Sequence, residues 1–324
     1  MFWFGKRATL YLHFPCFDGT ISAVLTTLYL QQARGWKFKK FQPVNYHQQN
    51  EWLDTPLARR NAVVDFLYHP QAVFWADHHS TTFLKELLRT NYEARSSPGL
   101  IYDSQSGSCA SLLWKRIGAI FSGDQRLQEM VQWAEKIDSA GYESVQEAMS
   151  NSHPALVLSR SMACDADEAY CNFLVTRLLR EPLADVVKTE EVQRRFRKVA
   201  ELNEAGLKRV KDVLRLEGSV AVYEVDSKGI MINRYAPYYF YPEALYSVAV
   251  THSKYGAKIT AMRNPWREFE SINLGEFMRK FGGGGHQRVG SLVLSKEREQ
   301  ECAGVVESLL RELLANKTQP ATNL

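Results

Sequence analysis

The chain lacks paired cysteines: its five, at positions 16, 109, 164, 171 and 302, form no CxxC or finger spacing, and their odd number argues against a disulfide framework. A reducing compartment is expected. Also missing is any apolar run near the roughly 18 residues that a membrane span requires, and the opening MFWFGKRATLYLHF carries charge inside any signal-like stretch. We therefore expect a cytoplasmic protein without a membrane anchor. Charge of one sign is scarce as well, with a net of only +4 over 324 residues. Its distribution says more, because Ser219 to Lys296 hold ten Lys/Arg against six Asp/Glu while the rest of the chain balances. The surplus lies in the C-terminal part, where an anionic partner is expected. At 45% apolar and 23% charged the composition is that of a globular protein long enough for two domains.

Residues 7–115 alternate short apolar runs (RATLYLHF, NAVVDFLY, AVFWADHH, LIYD) with stretches of helical character at Ser22 to Ala33 and Thr82 to Arg89. Such alternation predicts an α/β fold with a mostly parallel sheet flanked by helices. Residues 155–217 read as helical throughout. Within them Val192, Phe196, Val199, Leu202, Leu207, Val210 and Leu214 keep the three-or-four spacing of one long amphipathic helix, from Thr189 to Arg215, joining two domains. After Gly218 strands return (SVAVYEVD, GIMINRY, ALYSVAVTHS, AKITAMRN), then a short helix from Leu274 to Lys280 and the run FGGGGHQRVGS, so a smaller C-terminal α/β domain is expected.

Each N-terminal strand ends in carboxylate or imidazole: His13, Cys16 and Asp18 after the first, Asp65 after the second, Asp77, His78 and His79 after the third, Asp103 after the fourth. In an open parallel sheet these ends form the edge along which ligands bind, so the residues should converge. Carboxylates crowded on one edge repel unless a cation sits among them. Oxygen ligands with a few imidazoles suit magnesium or manganese, and a carboxylate shared by two ions is the usual device of a two-metal site. Asp138 closes a helical stretch, where a negative charge opposes the helix dipole. Gly283, Gly284, Gly285 and His286 lie in a run whose backbone can approach an anion. Tyr235, Tyr238, Tyr239 and Trp266 offer aromatic faces on which bases could stack.

The DHH triplet at 77–79, the motifs at His13/Asp18, Asp65 and Asp138, and GGGGH at 282–286 occur in an order that resembles the DHH phosphoesterases carrying a C-terminal DHHA1 domain. The resemblance covers nearly the whole chain. It implies a DHH catalytic domain over 1–186, a linker helix over 187–217, a DHHA1 substrate-binding domain over 218–318 and a tail over 319–324. It further implies a phosphoesterase with two divalent ions, typically manganese, that hydrolyses short single-stranded oligonucleotides or nucleotides between its domains. On this resemblance His13, Asp18, Asp65, His78 and Asp138 are metal ligands with Asp65 the bridge, His79 faces the phosphate and Asp77 orients an imidazole. Arg263 and Gly283 to His286 then hold the substrate's terminal phosphate or nucleotide. The first motif departs from the usual pattern: it is one residue shorter, and Cys16 stands where an Asp is expected. As a ligand, Cys16 would bias its ion towards zinc or iron. A phosphatase for a small metabolite and a non-catalytic nucleotide-binding protein are the alternative readings, and the sequence carries no signal for oligomeric state.

Overall fold

The computed structural model describes residues 6–316, so the expected tail at 319–324 lies outside the described residues. These residues form two compact units: one takes the chain up to Gly141 together with Asn151–Arg197, the other Tyr142–Ser150 together with everything from Lys198 on.

The first unit is built on five parallel strands, β1 (Lys6–His13), β2 (Trp36–Val44), β3 (Asn61–Val64), β4 (Phe74–Asp77) and β5 (Leu100–Tyr102), ordered β2-β1-β3-β4-β5. Chain direction across the sheet reverses between β1 and β3, and outside the carboxyl ends at such a switch point a crevice opens. His13 and Asp65 flank it. Helices α1 (Phe17–Arg34), α2 (Glu86–Arg95) and α3 (Cys109–Ile117) follow β1, β4 and β5, and α4 (Gln125–Asp138) follows α3. Period-two alternation sends Leu10 and Leu12 into a core with Ile21 and Leu25 of α1, while Tyr11 and Trp75 bury on the opposite face beside Trp52 and Phe66. Each such side chain contributes roughly 1.5–3 kcal/mol by burial. Local signals fix the helix ends: Ser108 accepts from Ser111 N at the start of α3, Asp124 accepts from Leu127 N at the start of α4, and Gly35 ends α1 at φ 63°.

The short α5 (Val145–Met149) belongs to the second unit, and α6 (Pro154–Ser161), α7 (Glu168–Leu178) and α8 (Leu183–Val186) complete the first. The division between units falls inside α9 (Glu190–Val213). The second unit has a six-stranded mixed sheet of β6 (Arg215–Glu217), β7 (Val220–Asp226), β8 (Tyr246–Ser253), β9 (Gly256–Arg263), β10 (Gly284–His286) and β11 (Val289–Ser295), ordered β10-β11-β9-β8-β7-β6. Only β7 and β8 pair in parallel. Helices α10 (Ala236–Phe240), α11 (Leu274–Arg279) and α12 (Cys302–Ala315) accompany it, and α11 and α12 pack on one face through Leu274, Met278 and Leu309.

Several sequence expectations need correction. Strand β2 is absent from the sequence reading, because KFKKFQPV dilutes its apolar positions with lysine. The first helix begins at Phe17 rather than Ser22, and the second lies at Glu86–Arg95 rather than Thr82 to Arg89. GIMINRY forms no strand: Ile230 and Ile232 instead pack irregularly beside Tyr223 and Val225. The region 155–217 is helical only with interruptions, and Arg215–Glu217 is strand. No helix among the described residues is long and apolar enough to cross a membrane.

Candidate metal centre

The stretch HFPCFDG joins β1 to α1 through a cis Phe14–Pro15 peptide, and Cys16 stands at the N-cap of the helix. Asp18 lies in the first turn of α1, buried, where the helix dipole favours its charge. Its carboxylate also receives the first amides of α3, from Cys109 N at 2.7 Å and Ala110 N at 2.8 Å. A second helix N-terminus thus holds the same anion. Gly19 is required by a close approach: a Cβ there would stand 2.2 Å from the His13 carbonyl oxygen. Any larger residue would separate His13 from Asp18.

Asp65 follows β3 directly and adopts φ 56°, a left-handed conformation that costs a non-glycine residue on the order of 1–3 kcal/mol. Its amide donates to Ala76 O at 2.9 Å. Both carboxylate oxygens are buried without a hydrogen-bond partner. They face imidazoles, Oδ2 lying 3.3 Å from His13 Nδ1 and Oδ1 lying 3.6 Å from His78 Nε2 and 3.8 Å from His79 Nδ1. Burial, then the charges of Asp18, Asp77 and Asp138, push the Asp65 pKa well above the usual carboxylate range.

Asp77 ends β4 and accepts on one oxygen from His78 N at 2.8 Å and from His79 Nδ1 at 2.8 Å. This fixes the His79 ring, leaving its Nε2 free. Burial opposes charge on His79, but the Asp77 hydrogen bond and the surrounding carboxylates outweigh it and raise the pKa. His78 Nδ1 lies 3.2 Å from Ser106 O, which can only accept, so Nδ1 carries the proton and Nε2 is left as a donor atom for a metal. That Nε2 is buried among Asp138 Oδ2 at 3.3 Å, Asp65 Oδ1 at 3.6 Å and Asp18 Oδ2 at 3.7 Å. Burial and neighbouring imidazoles lower the His13 pKa to about 4, keeping that ring neutral as a ligand must be.

Three groups of ligand atoms come together: His13, Cys16 and Asp65; Asp18, His78 and Asp138; and Asp65, Asp77, His78 and His79. Buried without hydrogen-bond partners are His13 Nδ1, His78 Nε2, Asp77 Oδ2 and both Asp65 oxygens. Native interiors seldom strand so many polar atoms at one point. Cations placed among them satisfy the oxygens and nitrogens together, so the donor set fits divalent metal with Asp65 common to two groups. Burial, then the charges of Asp65, Asp18 and Asp138, raise the Cys16 pKa and keep the thiol protonated where no cation adjoins it.

One strand-end residue and one unexpected neighbour stand apart from this pattern. Asp103 stays outside the cluster and accepts from Gln105 N at 2.9 Å in its own turn. Tyr46, just past β2, is the residue that the sequence reading misses: its buried, unpartnered hydroxyl belongs to a ring 5.0 Å from His13 and 6.0 Å from His79. Its signal is that it lies just past a strand end as Asp65 does, which only recognition of β2 would have shown.

In the second unit, the Arg263 guanidinium donates to Asn264 O at 3.2 Å and Phe269 O at 3.1 Å and stacks 4.3 Å from the Phe269 ring. Its amide donates to Arg288 O at 2.9 Å, beside the turn that follows His286. Residues Gly284–His286 form a hairpin strand rather than an open loop. Packing demands its glycines: a Cβ on Gly283 would meet Ser291 O at 2.4 Å, and one on Gly285, at φ 142°, would meet Val289 O at 2.2 Å. Gly284 and exposed His286 carry no such constraint. Of the expected stacking faces, Tyr235 and Tyr238 are core. Tyr238 donates to Met262 O at 2.6 Å, and Trp266 Nε1 to Tyr142 O at 2.9 Å, leaving Tyr239 exposed.

No protein-family model matches the sequence, and no curated protein does. Solved structures do match. The chain is similar to a pGpG-specific phosphodiesterase, PggH, from Vibrio cholerae, at TM-score 0.73 and 18% identity over 96% of this chain and 100% of that one. It is similar to the exonuclease RecJ bound to manganese, at TM-score 0.54 and 14% identity over 99% and 93% of the two chains. It is also similar to RecJ in complex with Mn2+ from Thermus thermophilus, at TM-score 0.55 and 14% identity over 95% of this chain and 52% of that one. The likeness is one of fold: a parallel sheet flanked by helices, followed by a second, mixed sheet, over nearly the whole of this chain.

Proposed function

We propose that the chain is a divalent-metal-dependent phosphoesterase that hydrolyses short oligonucleotides or nucleotides. The observation that carries this reading is Asp65, strained, buried and unbonded at both oxygens between two ligand groups. His13, Asp18, Asp65, His78 and Asp138 hold two ions, manganese being favoured by the likeness to manganese-bound RecJ. When bound, such ions supply a hydroxide nucleophile at neutral pH and neutralise charge on the phosphoryl oxygens. Asp18 keeps its orientation through the α3 amides, and Ser106 holds the His78 tautomer that turns Nε2 inward. Asp77 positions His79, whose Nε2 hydrogen-bonds a phosphoryl oxygen. Arg263 and Gly283, Gly284, Gly285 and His286 of the second unit contact the substrate's terminal phosphate or nucleotide. The likeness to a pGpG phosphodiesterase favours linear dinucleotides.

The test is hydrolysis with manganese of a panel: pGpG, a cyclic dinucleotide, 3′-phosphoadenosine 5′-phosphate and pyrophosphate. Turnover of pGpG above the others supports the reading. Absence of manganese-dependent hydrolysis of any nucleotide contradicts it.

A further inference from the structure

A second concentration of charge lies on the first unit away from the ligand groups. A cavity of about 380 Å³ is lined by Arg7 and Thr9 of β1, Lys39 and Lys40 of β2, and Arg59 and Arg60 before β3, with Ala8 and Ala58. No acidic and no aromatic side chain lines it. Lys40 pairs with Glu168 at 3.2 Å. Among the described residues, the side chains of Arg7, Lys39, Arg59 and Arg60 make no hydrogen bond or ion pair. Four unneutralised cations around one concavity repel each other, and an anion seated there would relieve them.

The backbone is arranged to produce this concentration. Regular alternation would give Lys39 and Lys40 opposite faces of the sheet. The register between β1 and β2 slips at Ala8/Thr9, however: Ala8 pairs with Phe38 and Thr9 with Lys40, so Lys39 has no partner. Slips of this kind re-aim side chains next to sites. Both lysines are exposed and both line the cavity, while Phe41 returns to the core. The place is distinct from the metal centre, since Arg7 and Thr9 precede His13 by roughly 13–20 Å of strand rise.

We propose that this basic cavity is a binding site for a chain of condensed phosphates, inorganic or carried by a nucleotide. The lack of any ring to stack a base favours recognition through phosphate groups alone, and several cations in one cavity favour several linked phosphates over one.

Titration calorimetry of sodium tripolyphosphate into the full chain tests this, in EDTA so that divalent metal does not contribute. One tripolyphosphate per chain is expected, with at least tenfold weaker binding in Lys39→Gln/Arg59→Gln and unchanged binding in Asp65→Asn. Both substituted side chains lie at the surface and are unpaired, so circular dichroism should show the variant folded. ATP binding as tightly assigns the phosphate chain of a nucleotide; tripolyphosphate alone assigns the inorganic chain; either supports the site. Absence of binding, full binding in the double variant, or tighter binding of a single-stranded decanucleotide overturns it. Because EDTA removes metal, failure here is separable from failure of hydrolysis.

Discussion

Buried and crowded by the charges of Asp18, Asp77 and Asp138, the Asp65 carboxylate costs the metal-free protein stability that a neutral asparagine there would not. Asp65→Asn should therefore raise the denaturation midpoint of the metal-free chain. Denaturant unfolding in EDTA checks this, and an unchanged or lower midpoint would count against the crowding described. Cys16 makes a second residue-level test. Its sulfur joins His13 and Asp65 in one group, and sulfur favours zinc over manganese. Cys16→Ser should therefore lower zinc affinity at least tenfold and leave manganese affinity within about threefold, as read by competition titration. Equal loss for both ions would show that Cys16 matters only for packing. At this scale much was legible in the sequence: His13, Asp18, Asp65, His78 and Asp138 all sit at element ends, where the parallel sheet collects them. Tyr46 was not, because aromatic residues announce burial more often than a site.

The junction of β1 and α1 tolerates only glycine at 19, since an added Cβ would meet a backbone oxygen, which cannot rotate aside. Gly19→Ala should destabilise by about 1–3 kcal/mol, as overpacking does. Gly284→Ala, with nothing within 4 Å of its Cβ, should stay within about 0.5 kcal/mol. Equal losses would mean that the close approach is not what selects glycine. In the second sheet, protonated His252 donates from Nδ1 to Glu299 and from Nε2 to Glu224, each at 2.7 Å, and Lys296 also pairs with Glu299. The Glu299 hydrogen bond leads in raising the His252 pKa above 6.5. Its stabilisation is therefore full below the unfolded pKa and lost as pH rises through the folded one. His252→Gln should cost more at pH 5.5 than at pH 8.5, by a small margin because the ring is partly solvated, and the difference should shrink in 1 M salt. A pH-independent loss would contradict this. The glycine run shows where element reading stops: its sequence suggests a loop open to an anion, whereas backbone contacts across the β10–β11 hairpin account for Gly283 and Gly285.

For the whole molecule, strand order does what no single motif can. Reversal between β1 and β3 helps gather residues as far apart in sequence as His13 and Asp138 around one point, and the α/β class, the parallel sheet and the second sheet were all legible from alternation of short apolar runs. Strand β2 and the true course of GIMINRY were not, because lysines masked the one and irregular packing of isoleucines imitated a strand in the other. The central claim, two ions sharing Asp65, is tested most directly by titrating manganese into the metal-free parent and Asp65→Asn, with dinucleotide hydrolysis measured on the same samples. The account predicts two ions per parent chain, at most one in the variant, and a loss of hydrolysis greater than about a thousandfold, or about 4 kcal/mol of barrier. A variant that keeps both ions and hydrolyses within tenfold of the parent would contradict it.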